Sequence, residues 1–268
     1  MMLRKTILGV AGALASLGGG ASPARGASGD LLVAPTRIVL DGRRGAEVVL
    51  NNIGSEPATY RISLELRRMT AAGRLEPVDA PTAAETTALE MIAYAPRKVT
   101  LQPNQPQSVR VGVRPPERLA DGEYRVHMLF RAIPDARAAT AAPAASDGVA
   151  IALTPIYGVT IPVIVRSGQL AAQAAASDAR PVMADGRKAI SFKLARTGSR
   201  SLYGDVRLLK PGSGPILLAR GIAVYPEVGQ REVVLPVDPA LTGAATVQYV
   251  ERPEDGGRVL AETAVVLR

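Results

Sequence analysis

The chain has 268 residues and a formal net charge of +8, with 47% hydrophobic and 21% charged residues. This composition is typical of a globular protein with one large domain or two small ones. The absence of cysteine excludes disulfides, cysteine-ligated zinc and thiol catalysis. A single histidine leaves little for a histidine metal site, so we expect no catalytic residue, no metal and no cofactor.

The sequence also argues against a nucleic-acid interface and against a catalytic site at the single histidine. The basic residues are dispersed, with no run longer than two, which is typical of solvated surface charge and not of a nucleic-acid interface. The one histidine, His127, has no Ser, Asp or Glu arranged with it in a catalytic motif. We therefore expect no nucleic-acid partner and a structural or surface role for His127.

The N-terminus has the three-part layout of a secretory signal peptide. Arg4 and Lys5 precede an apolar run, Ile7 to Leu17, which is followed by small residues. The run is shorter than the about 20 residues that span a bilayer. We expect a signal peptide over residues 1–24, with cleavage after Ala21 or Ala27 as alternatives, and an exported protein without stable membrane insertion. An N-terminal anchor helix is the other interpretation.

Beyond residue 30 the chain alternates between apolar and polar residues in short segments, the pattern of half-buried strands. Examples are Arg61–Arg67, Ser108–Arg114 and Arg125–Arg131, and turn residues separate them about every 8–15 positions. The pattern predicts an all-β protein with two immunoglobulin-like β-sandwich domains in tandem, over residues 30–166 and 169–268. A capping box at Thr82–Glu85 is compatible with a short helix or a turn at this position.

The segment 149–166 is unusual because it has no charge before Arg166 and is longer than most strands. Its odd-numbered residues are bulky and its even-numbered ones small, while Pro155 and Pro162 favour an edge strand. Either its own domain buries this strand, or the strand is an edge that pairs with another chain.

The order of these pieces resembles the PapD-like periplasmic chaperones of the chaperone–usher pathway. The resemblance lies in Val33–Gly42, Val48–Pro57, Tyr94–Val111, Gly122–Pro134 and the edge strand ending at Arg166, and it covers about residues 31–168. It implies a periplasmic chaperone that binds pilus or fimbrial subunits by donating an edge strand and delivers them to an outer-membrane usher. The donor side chains it implies are Val149, Ile151, Leu153, Tyr157, Val159 and Ile161.

The resemblance also implies two charged sites. Arg37 matches a basic residue that anchors the subunit's terminal carboxylate, but the second anchor falls at Pro162, so Arg97 or Lys98 is expected to substitute. An interdomain ion network is expected from Glu123, Arg166 and an acidic residue near Gly256. We assign the acidic member to Glu254, with Glu251 and Asp255 as alternatives.

Two other functions remain open at this point. The chain could be a secreted pilus subunit or another immunoglobulin-like binding module, although a subunit of the incomplete-sandwich type would normally have one domain. It could also be an exported hydrolase on a β-scaffold, but no pair of carboxylates is aligned for glycoside hydrolysis.

Overall fold

The computed structural model describes residues 30–134, 156–253 and 256–268. These residues form eighteen strands and one helix. The elements of the first half are β1 (Leu31–Ala34), β2 (Ile38–Leu40), β3 (Ala46–Asn52), β4 (Ala58–Glu65), β5 (Arg67–Met69), β6 (Leu75–Pro77), α1 (Ala83–Met91), β7 (Ile92–Ala95), β8 (Lys98–Leu101), β9 (Pro106–Val113), β10 (Gly122–Ile133) and β11 (Gly158–Ser167). Those of the second half are β12 (Ala172–Ala184), β13 (Arg187–Gly198), β14 (Leu202–Leu209), β15 (Ile216–Val224), β16 (Gln230–Pro236), β17 (Gly243–Val250) and β18 (Val259–Leu267).

The first sandwich packs a four-stranded sheet against a five-stranded one. The strand orders are β1-β3-β9-β7 and β2-β11-β10-β4-β8. Alternate residues of the strands meet in one core, as the period-2 pattern predicts. Five of these core residues, each at most 2% exposed, are Val109, Val111, Val126, Met128 and Phe130.

The second sandwich is built in the same way from the sheets β12-β13-β16 and β15-β14-β17-β18. Phe192 and Leu194 of β13 are fully buried against Val247 and Tyr249 of β17. The Tyr249 hydroxyl donates to the Ile222 carbonyl over 2.8 Å, so this aromatic side chain is buried with its polar end satisfied. The predicted all-β fold of two immunoglobulin-like sandwiches is confirmed.

The connection between the sandwiches turns at Gly168, whose φ is +77°. A Cβ at this position would lie 2.1 Å from the Asp121 carboxyl carbon, so both the backbone conformation and the available space require glycine. β11 ends one residue before this turn and β12 begins four residues after it. The second sandwich is therefore attached directly to the end of β11.

The first sandwich carries an insertion between β4 and β7, made of the β5–β6 hairpin and α1. The Thr82 hydroxyl accepts from the Glu85 N–H, and the Glu85 carboxylate accepts from the Thr82 N–H. This is the capping box that the sequence indicates, and the segment after it forms a helix, which decides between the helix and the turn. Across the part of the chain that the structure describes, no helix is long and apolar enough to span a membrane.

Candidate functional site

One side of β11 is unpaired over half of the strand. β11 pairs antiparallel with β10 along its whole length. On its other side it pairs with β2 only through Val163, Ile164 and Val165. Residues 158–162 have no neighbour on that side among the described residues. We call residues 158–162 the open edge.

The backbone N–H and C=O groups of the open edge point alternately toward β10 and toward the unpaired side. The Ala132 N–H donates to the Tyr157 carbonyl over 3.0 Å, so odd-numbered residues of β11 are those that bond to β10. The even-numbered residues Gly158, Thr160 and Pro162 direct their backbone groups to the open side. Pro162 has no N–H to donate, so it ends the free ladder where the pairing with β2 begins.

The side chains predicted as donors differ in exposure. Tyr157 is 49% exposed, whereas Val159 is partly buried against the core of the first sandwich. Ile161 is 2% exposed inside that core and is not available to a partner, which corrects its prediction as a donor. Alternation groups these residues on one face, but their own domain already fills that face at Ile161. The remaining predicted donors lie outside the described residues: Val149, Ile151 and Leu153.

Next to β11, a cleft with a volume of about 340 Å³ separates the two sandwiches. Arg37, which immediately precedes β2, lines this cleft together with Arg166 at the end of β11. The second sandwich contributes Arg200, Tyr203 and Arg258, among other residues. The cleft is therefore a shared, arginine-rich surface, and a ligand in it would contact both domains.

Arg37 is held in the cleft with part of its hydrogen-bonding capacity unused. Its Nη2 atom donates to the Ser201 hydroxyl over 3.3 Å, and its guanidinium carbon lies 4.3 Å from the centre of the Tyr203 ring. Burial lowers the pKa of Arg37, while Tyr225 and Glu123 act in the opposite direction. Nη1 is buried without a partner among the described residues. A buried cation with a free donor favours an incoming anion.

The charges of the cleft are only partly balanced. Arg166 is bound to Glu123 over 3.0 Å, and Arg258 forms two hydrogen bonds with Glu251. Arg37 and Arg200 have no carboxylate within ion-pair distance in the described part of the chain. The cleft therefore has positive charge available for an anionic ligand.

The buried carboxylate of Glu123 connects the two sandwiches. Its side chain is 1% exposed and accepts from Arg166 over 3.0 Å. The same carboxylate accepts from the Ser201 N–H over 3.1 Å and from the Ser201 hydroxyl over 3.0 Å. The Ser201 oxygen in turn accepts from Arg37. Four groups from β10, β11, the segment before β2 and the second sandwich thus form one network.

Among the described residues of the second sandwich, the partner of Glu123 is Ser201. Glu254, and Asp255 as its alternative, lie outside the described residues, while Glu251 is bound to Arg258. Sequence analysis missed Ser201 and Arg200 because both lie in the turn between β13 and β14. No alternation or motif marks that turn, so only the tertiary structure reveals their position beside Arg37.

Arg97 and Lys98 are not near the cleft, which corrects their prediction as substitutes for the second anchor. Lys98 begins β8, and β8 and β2 are the opposite edges of the same five-stranded sheet. Arg97 instead donates to the Tyr94 hydroxyl over 2.5 Å and lies over the Tyr94 ring. Strand order, which separates these residues from Arg37, cannot be deduced from their positions in the sequence.

No family model matches the chain, and no curated protein matches its sequence. It is similar to solved structures of chaperones. The YadV chaperone is 14% identical, covering 89% of this chain and 100% of its own, with a TM-score of 0.45. The Pseudomonas aeruginosa CupB2 chaperone is 12% identical over 88% and 100%, with a TM-score of 0.45. A chain of the Salmonella enterica SafA pilin–SafB chaperone complex is 15% identical over 89% and 97%, with a TM-score of 0.43.

The Arg166→Ala substitution is expected to lower the free energy of unfolding by about 3–5 kcal/mol, because it leaves the buried Glu123 carboxylate without its cation. Chemical denaturation measures this loss. The control is Arg110→Ala, which removes an ion pair whose arginine is 85% exposed and should cost at most about 1 kcal/mol. Equal losses in the two variants would contradict a stabilising role of the network.

Proposed function

We propose that this chain is a PapD-like periplasmic chaperone, which binds pilus or fimbrial subunits by lending the open edge of β11 and delivers them to an outer-membrane usher. The observation that carries the proposal is the unpaired edge at residues 158–162 beside the arginine-lined cleft. Soluble proteins normally cover or block a strand edge because it pairs with other chains. An edge left open beside a cation site is suited to holding another protein.

Binding would follow the physics of β-augmentation. A subunit with an incomplete sandwich exposes an apolar groove and unpaired backbone groups. Gly158 and Thr160 direct their backbone groups outward and supply a ladder for such a subunit. Tyr157, which is 49% exposed, supplies a side chain at the start of this ladder. The proposed donor side chains before it share its odd numbering: Val149, Ile151 and Leu153.

The cleft would hold the terminal carboxylate of the subunit. Arg37 is the first contact because its buried Nη1 atom has no partner among the described residues. Pro162 occupies the position of the family's second basic residue, and we assign that role to Arg200. Arg200 lines the same cleft, and it immediately precedes Ser201, to which Arg37 is bonded. The apolar side chains of Val39 and Leu260 line the cleft as well and suit an apolar terminal residue.

This function requires no bond-breaking chemistry. Strand pairing and carboxylate binding use backbone groups, aliphatic side chains and arginines, so the proposed role needs no catalytic residue, metal or cofactor. We therefore propose a binding protein and not an enzyme.

The Thr160→Pro substitution is expected to weaken subunit binding at least about tenfold, because it removes the outward N–H in the middle of the open edge. The ladder between β10 and β11 is untouched, since Thr160 does not bond to β10. Binding is measured by pull-down of a co-expressed candidate pilus subunit with the tagged chain.

The matched control for this experiment is Thr100→Pro on β8, the opposite edge of the same sheet. Thr100 also directs its N–H outward, because the Ile62 N–H bonds to the Arg97 carbonyl and places Thr100 at a non-bonded position of the ladder with β4. The Thr100→Pro variant should bind the subunit as tightly as the unchanged chain does. Equal binding by both variants, with equal melting temperatures, would contradict the assignment of the open edge.

Arg37→Gln and Arg200→Gln are each expected to weaken subunit binding by about 10- to 100-fold, because a charge-assisted hydrogen bond contributes about 1.5–3 kcal/mol. The effect should disappear when the subunit carries a C-terminal amide in place of its carboxylate. Arg110→Gln, a change of the same charge on the exposed part of β9, is the control. A loss that persists with the amidated subunit would contradict carboxylate anchoring.

Size-exclusion chromatography of the purified chain tests the remaining alternative. A chaperone should elute as a small discrete species without its client. A pilus subunit, whose incomplete fold captures other copies, should polymerise or aggregate. Polymers would favour the subunit function over the proposed one.

A further inference from the structure

The β5–β6 hairpin belongs to the first sandwich, yet it lies against the second. The Glu232 N–H of β16 donates to the Ala71 carbonyl in the hairpin turn over 3.0 Å. On the hairpin, the Met69 N–H donates to the Glu227 carboxylate over 2.8 Å. Both bonds cross from one domain to the other, so the hairpin spans the boundary.

A buried contact lies beneath the hairpin. Arg125 of β10 forms an ion pair with Glu227 and donates to the Arg67 carbonyl over 3.0 Å. Its side chain is 9% exposed and lies 3.6 Å from the centre of the Tyr225 ring. Beside it, Met69 and Ile164 pack with residues of the second sandwich, Ala223 and Tyr225. This contact is separate from the network around Glu123.

His127 lies two residues from Arg125 on the same face of β10 and is 1% exposed. Neither ring nitrogen has a hydrogen-bond partner in the described part of the chain. Across the sheet it is opposite Glu65 on β4 and Pro162 on β11. Glu65 is engaged by Arg67, which begins β5, and by Thr160.

The charged groups around His127 come from three strands and from one connection in the second sandwich. They are Arg125 on its own strand, Glu65 on β4, Arg67 on β5 and, bound to Arg125, Glu227 of the second sandwich. The β11 side contributes an uncharged proline. A proton on His127 would be buried beside two arginines without an acceptor of its own.

Burial, with smaller effects from Arg125 and Arg67, lowers the pKa of His127 to about 3. In an open form in which water reaches the ring, the pKa would return to about 6.5. Because the closed form has the lower pKa, the closed form is favoured fully above about pH 6.5. The free-energy preference for the closed form declines as the pH falls toward about 3.

We propose that the β5–β6 hairpin is an interdomain strap that loosens in acid, because His127, buried next to Arg67 at the base of the hairpin, can take up a proton only when the strap opens. The proposal does not depend on the chaperone function. It concerns the orientation of the two sandwiches, and it makes that orientation sensitive to pH.

Native-state hydrogen exchange tests the strap at the two amides that cross the boundary, those of Met69 and Glu232. Between about pH 7.5 and about pH 5, their protection factors should fall by about 30-fold, the ratio that follows from pKa values of about 6.5 open and about 3 closed. The control amide is that of Gly221, which donates to Asp205 within the second sandwich over 2.9 Å. Its protection should change much less.

His127→Phe should remove this pH dependence, because the apolar ring takes up no proton and needs no hydrogen bond. A 30-fold change that persists in His127→Phe would overturn the proposal, as would protection in the native chain that does not change with pH.

A second measurement, on the native chain, tests the proposal even if the His127→Phe variant does not fold. The chain has one histidine, so its ring C–H signals in the NMR spectrum belong to His127 alone. These signals should not titrate between about pH 7.5 and about pH 5 in the folded protein. A titration midpoint near the ordinary value of about 6.5 would also overturn the proposal.

Discussion

The buried carboxylate of Glu123 is the contact on which the geometry of the site depends. It accepts hydrogen bonds from Arg166, at the end of the open-edge strand, and from Ser201 of the second sandwich. A carboxylate that is 1% exposed is costly unless it is paired, so these partners are held close to it. Since Ser201 also accepts from Arg37, the same interaction places Arg37 beside the end of β11.

Two features set the boundary of the open edge at Pro162 and Val163. β2 is only three residues long and covers β11 from Val163 onward. Pro162 immediately precedes this cover and has no N–H to extend the ladder outward. Before it, Gly158 and Thr160 direct their backbone groups to the unpaired side. Among the described residues, the strand is therefore paired on both sides near its end and on one side only at residues 158–162.

One face of β10 links the cleft to the hairpin. Glu123, Arg125 and His127 alternate along it, and each has a different surrounding. Glu123 is bound to Arg166 and Ser201, Arg125 is bound to Glu227 of the second sandwich, and His127 is buried without a hydrogen-bond partner among the described residues. The two sandwiches are thus joined by two separate polar contacts from a single strand. Sequence analysis assigned His127 a structural or surface role because alternation shows that the three residues share a face, but not what covers it.

The sequence by itself determined the alternating strands and the two-sandwich fold, because alternation and turn residues are local signals that survive without tertiary context. Arg37, Glu123 and Arg166 were identified by resemblance to a family. Only the tertiary structure showed that Ser201 and Arg200 lie beside Arg37, because a turn carries no periodic signal. It also showed that β8 lies across the sheet from the cleft and that Ile161 faces a filled core. Strand order and burial depend on contacts between residues far apart in the chain, and those contacts have no local signature.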